Sequence, residues 1–128
     1  MRALNVLKNV DIIACEDTRH SSQLLSGYGI KKKLIALHQH NELDKAESIK
    51  NIVVDGKSVA YISDAGTPTI SDPGAALVEH FHNLKLDVFS IPGPSALTAA
   101  FSISGFETSH FQFFGFLPNT MGKRKKTL

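Results

Sequence analysis

Tryptophan is absent from this 128-residue chain, and cysteine occurs only once, at Cys15. One thiol excludes an internal disulfide framework, so a reducing cytoplasm is the expected setting. No apolar run approaches the eighteen or so residues that a membrane-spanning helix needs. Met1 is followed by Arg2 and a short amphipathic run, without the apolar core of a secretory signal. The full phosphate-loop pattern G-x-x-x-x-G-K-[ST] is missing, as is the dinucleotide fingerprint G-x-G-x-x-G. No nucleophile elbow of the G-x-S-x-G kind occurs either. These absences remove the commonest nucleotide hydrolases, dinucleotide enzymes and serine hydrolases from consideration.

What is present is the composition of an ordinary globular domain, with 42% apolar and 20% charged residues. The length suits one domain with a sizeable core. The formal net charge is +2, unevenly spread. Without Lys123, Arg124, Lys125 and Lys126, the rest of the chain carries −2. Such a tail can touch nucleic acid or be a solvated terminus. Lys31, Lys32 and Lys33 form a second basic knot.

Apolar spacing predicts alternating elements. Helices are expected at 2–9, 16–29, 44–56, 72–84 and 93–104, and strands at 10–15, 33–38, 58–63, 85–91 and 110–116. Thr18 and Asp72 are the expected N-caps of the second and fourth helices, with Pro73 at a first helical position. Short connections between alternating strands and helices predict an α/β fold, an open, mostly parallel sheet with helices on both faces. The opening helix is unusual, because such domains ordinarily begin on a strand; a first strand is expected to be missing. Residues 1–118 are read as one domain and 119–128 as a basic linker or tail.

In an open parallel sheet, ligands collect beyond the carboxyl ends of the strands. Four expected strand ends carry polar sequence: "CEDTRHS", "LHQHNE", "SDAGTPTISDPG" and "PGPSA". The third is the densest. Gly66 and Gly74 allow close backbone approach, and Pro68 and Pro73 stiffen the turn. Asp64 and Asp72 would repel phosphate but suit a ribose, an amine or a positive charge. Glu16 or Asp17 can orient a hydroxyl, and Arg19 can hold a phosphate. His38 and His40, two apart on a strand end, are expected to point the same way. His80 and His82 at i, i+2 on a helix do not face each other, so no metal site is expected.

Together, "IIACEDTRHSSQLL", "HQHNE", "VAYISDAGTPTISDPGAALV", "SIPGPSALTAAFSISGF" and "FFGFLP" resemble the 16S ribosomal RNA 2′-O-ribose methyltransferases of the tetrapyrrole methylase superfamily. The resemblance spans residues 2 to about 126. It implies transfer of a methyl group from S-adenosylmethionine to a cytidine ribose of the small ribosomal subunit. It also implies a homodimer, and a cofactor cleft between two α/β domains of which this chain is the N-terminal one. Asp64, Ala65, Gly66, Thr67 and Ile70 are the implied cofactor-binding residues, with Ser95 and Ala96 forming another wall. Asp17, His40 and Glu42 are candidate catalytic bases from their strand-end positions, and Arg19 is the candidate RNA contact. A first strand and a C-terminal domain expected from the resemblance are lacking, so the chain is expected to be a truncated piece, inactive by itself. Two alternatives stay open: a corrinoid or porphyrin-precursor methyltransferase, and a non-catalytic module that dimerises or binds a nucleotide.

Overall fold

The computed structural model describes residues 1–107 and 110–127. Two compact units make up the chain, Met1–Pro94 and Ser95–Leu128. The first begins with helix α1 (Arg2–Asn9), then strand β1 (Ile12–Cys15), helix α2 (Thr18–Gly27), strand β2 (Lys33–Ala36), helix α3 (Glu42–Val54), strand β3 (Val59–Ile62) and helix α4 (Ala75–Asn83). The three strands form one parallel sheet in the order β2-β1-β3.

The order explains the residue types. β1 lies in the middle and is apolar at every position, with all four residues buried. A central parallel strand is covered on both faces, so alternation gives way to a continuous apolar run. Successive side chains still point to opposite faces. Ile13 joins Val10, Leu25 and Ile30 on one side, against Leu4, Val6 and Leu7 of the α1 region. Ala14 joins Leu37, Ala46, Ile49, Leu77 and Phe81 on the other, beneath α3 and α4. β3 alternates likewise: Val59 and Tyr61 pack on the α3/α4 side, Ala60 and Ile62 on the opposite side. Helices therefore cover both faces, as the alternation predicts.

Three helices end in the same hydrogen-bonded motif, which turns the chain back toward the sheet. After α2, Ile30 N–H donates to Leu25 O and Gly29 N–H to Ser26 O. After α3, Lys57 donates to Ile52 O and Gly56 to Val53 O. After α4, Leu86 donates to Phe81 O and Lys85 to His82 O. The motif needs a left-handed residue, and glycine fills that position twice, at Gly29 and Gly56. The third position is Lys85, at φ 56°.

Several sequence expectations are corrected. Residues 85–91 and 110–116 form no strand. A strand persists only where a neighbour pairs its N–H and C=O groups, and β3 ends the sheet. Val88 and Phe89 are accordingly exposed. The cap of α2 is Asp17 rather than Thr18, because the carboxylate accepts from the amides of both Arg19 and His20. The cap of α4 is Gly74 rather than Asp72, so Pro73 lies outside the helix.

In the second unit, helix α5 spans Ala96–Ser102 and helix α6 spans Met121–Thr127. Phe101 and Phe111 stack with ring centroids 5.0 Å apart. Arg124 folds back on the turn before α6, donating from Nε to Pro118 O and from Nη2 to Asn119 O. Most of the expected basic tail is thus helical; Leu128 lies outside the described residues.

Candidate functional site

Parallel pairing places the carboxyl ends of β1, β2 and β3 at one edge of the sheet. The segments leaving that edge are residues 16–18, 37–41 and 63–74. Three of the four polar stretches singled out from the sequence are therefore brought to one edge. The fourth, "PGPSA", follows a segment with no strand. Ser95 is the N-cap of α5 and Ala96 its first residue, and both belong to the second unit.

The loop from Ser63 to Gly74 has an unusual backbone. Gly66 lies at φ 69° and Gly74 at φ 121°, and between them Thr69 and Ser71 lie at 72° and 59°. A β-branched residue in the left-handed region is a genuine outlier, and strain of this kind persists only where the surroundings hold it. The restraints are visible. Thr69 N–H donates to Pro73 O at 3.1 Å, and Ile70 N–H to Thr67 O at 3.1 Å. Tyr61 Oη donates to Pro73 O at 3.0 Å, and Ser63 Oγ to Ala65 O at 2.8 Å. Gly74 has no room for a side chain, since an added Cβ would lie 2.6 Å from Tyr61 Cε1.

Asp64, Ala65, Gly66, Thr67 and Ile70 are all exposed on this loop. Among the described residues, no hydrogen bond engages the amides of Ala65, Gly66 and Thr67. Three consecutive N–H groups are thus available to a ligand. A Cβ at Gly66 would meet only Asp72 Oδ2, at 3.6 Å. Asp72 lies beside the turn rather than capping the helix.

Acids border these amides. Asp64 Oδ1 accepts from Asp17 N–H at 3.4 Å, which joins the loops after β3 and β1. Asp17 receives the Arg19 amide at 2.7 Å and the Arg19 guanidinium at 3.2 Å. The Arg19 side chain, then the amides of Arg19 and His20, hold the Asp17 carboxyl below its ordinary value. Arg19 is itself almost fully exposed. Below them, burial pushes the Cys15 thiol up, against a hydrogen bond with Ser21 that lowers it.

The "HQHNE" stretch is ordered by Asn41, whose Oδ1 accepts from His38 N–H and whose Nδ2 donates to Ala36 O. His38 and His40 lie past the end of β2, with ring centroids 6.1 Å apart in an edge-on contact. Glu42 opens α3, and its Oε1 accepts from Leu77 N–H at 3.0 Å. Gly74 has no side chain to cap α4, and Glu42 supplies the missing acceptor from a neighbouring helix. Sequence reading missed two residues that build this site, Tyr61 and Asn41. Tyr61 reads as a core position of an apolar strand, and its hydroxyl was the available signal. A buried phenol usually finds a hydrogen-bond partner.

The family model for Tetrapyrrole (Corrin/Porphyrin) Methylases matches residues 1–127. The chain belongs to the tetrapyrrole methylase family. It is 48% identical over 127 residues to a Xylella fastidiosa protein named Ribosomal RNA small subunit methyltransferase I, covering 99% of this chain and 46% of that one. A protein of the same name from Neisseria meningitidis serogroup B is 47% identical, with 98% of this chain and 43% of the relative covered. The Thermotoga maritima protein of that name is 46% identical, with 98% and 56% covered. The chain spans about half the length of the curated relatives it matches.

Proposed function

We propose that this chain belongs to the catalytic machinery of an S-adenosylmethionine-dependent methyltransferase acting on the 2′-hydroxyl of a cytidine ribose in 16S ribosomal RNA. The observation that carries this reading is the strained Ser63–Gly74 loop, with free amides at Ala65, Gly66 and Thr67, preceded by Asp64, whose carboxylate accepts the Asp17 amide. Free N–H groups suit the carboxylate and ring acceptors of the cofactor. The two acids suit its amine, its ribose and its positive sulfur. The shared name of the relatives favours ribosomal RNA over a porphyrin precursor.

S-adenosylmethionine, when bound, supplies an electrophilic methyl group. The chain's own contribution is then positioning. Asp64, Ala65, Gly66, Thr67 and Ile70 would hold the cofactor. Asp17, His40 and Glu42 are the proposed sources of a base for the ribose proton. Asp17 and Glu42 are also tied to helix amides, whereas the exposed His40 imidazole makes a ring contact with His38. Arg19 stands ready for an RNA phosphate. Cytoplasmic location, a homodimer and the small ribosomal subunit as partner complete the proposal.

Methyl transfer separates the branches of the family. The chain, alone and mixed with the C-terminal half of the Thermotoga maritima relative, is supplied with labelled cofactor. Label in 16S ribosomal RNA of small subunits from a methylation-deficient strain supports the reading. Label in a porphyrinogen and none in RNA would overturn it.

A further inference from the structure

We infer that Tyr61 is a positioning residue that fixes the shape of the candidate cofactor loop from beneath. The inference rests on the cofactor reading above and adds a residue to it. Tyr61 is the third residue of β3, and its neighbours Ala60 and Ile62 pack on the opposite face of the sheet. Its ring packs against the cluster beneath α3 and α4, and its hydroxyl continues past that core to Pro73 O, 3.0 Å away. The bond connects the strand that enters the loop to the residue just before the α4 cap.

Pro73 O is a shared acceptor. It receives Tyr61 Oη and also Thr69 N–H, one of the two left-handed residues that carry a side chain in the loop. The same tyrosine ring lies against Gly74 so closely that a Cβ there would overlap it, and Thr69 Cγ2 would meet that Cβ at 3.3 Å. Ring, carbonyl, Thr69 and Gly74 therefore form one packed unit. A left-handed residue bearing a Cβ is intrinsically unfavourable, so Thr69 and Ser71 keep their angles only while this unit holds. Upstream of that unit, along the same loop, lie the free amides of Ala65, Gly66 and Thr67. Burial, then the nearby charges of Glu16, Glu42, Asp72 and Asp64, push the Tyr61 phenol up.

Tyr61→Phe removes one oxygen and leaves the ring in place, so the variant keeps its core. Two measurements on the full chain test the inference at a temperature well below either melting transition. The first is amide hydrogen exchange. Thr69 and Ile70 are expected to exchange about tenfold faster in Tyr61→Phe, while Ile13 and Ala14 of β1 stay as in the parent. The second is S-adenosylmethionine affinity by calorimetry, expected to weaken about tenfold. A purely structural role would lower the melting temperature but leave the affinity of the folded molecule unchanged. Unaltered exchange at Thr69 and Ile70 overturns the inference, as does unaltered affinity in a variant whose parent binds. A parent that binds no cofactor overturns the cofactor reading and, with it, the positioning role; the exchange comparison would then decide only whether the phenol holds the loop.

Discussion

At the scale of single residues, this chain uses carboxylates as connectors. Asp11 takes the Ser58 amide and hydroxyl, each at 2.8 Å, and so ties the start of β1 to the start of β3. Asp17 caps α2, and Glu42 takes an amide of α4. The Ser58 amide, then its hydroxyl, hold Asp11 below its ordinary value of 3.8. A carboxyl depressed in the folded state contributes stability that is present above the unfolded value and is lost as pH falls through the folded one. Asp11→Ala is therefore expected to be less stable than the parent at pH 7, with the gap closing as pH falls below about 4. Urea unfolding at the two pH values checks this; a gap that widens in acid contradicts it. Cys15 gives a second residue-scale expectation. Its fully buried, upshifted thiol is expected to resist alkylation at pH 8 in the folded chain and to react once urea unfolds it. Asp17 and Glu42 could be picked out from the sequence because they follow strand ends; Asp11, before β1, could not. Nor could the distant backbone partners, because Ser58 lies 47 positions from Asp11 and Leu77 lies 35 from Glu42.

Elements carry a different lesson. The strand–helix alternation of residues 2–84 was legible because each strand is a short apolar run and three of the helices, α2, α3 and α4, end at a left-handed residue. Gly29 and Gly56 announce two of those ends. Lys85 does not, since nothing in a lysine marks the left-handed region. Lys85→Gly is expected to stabilise the first unit by about 1 kcal/mol, because glycine adopts that backbone without a Cβ clash. Gly74→Ala is expected to destabilise it by about 2 kcal/mol or more, from both its positive φ and the overlap with Tyr61. Denaturant midpoints of the two variants should move in opposite directions; movement the same way would refute the local account. The segments 85–91 and 110–116 show where apolar pattern misleads. Their composition suits strands, but a strand persists only where a neighbour pairs with it, which the composition of a segment does not encode.

For the whole molecule, the first unit is a sheet of three parallel strands whose carboxyl ends gather the polar loops, with a separate core on each face. That gathering was readable from alternation alone. The loop's strained angles and the Tyr61 anchor were not, because both depend on packing between β3 and α4. Family membership, a loop under restraint and three free amides next to Asp64 support the proposal that S-adenosylmethionine binds at residues 64–70. Calorimetric titration of the cofactor into the parent chain and into an Asp64→Asn, Gly66→Val variant tests it most directly. The variant removes one acid and forces a branched side chain onto φ 69°. The account predicts saturable binding by the parent and loss of that binding by a variant that still unfolds cooperatively. Equal binding by both, or none by a folded parent, would contradict it.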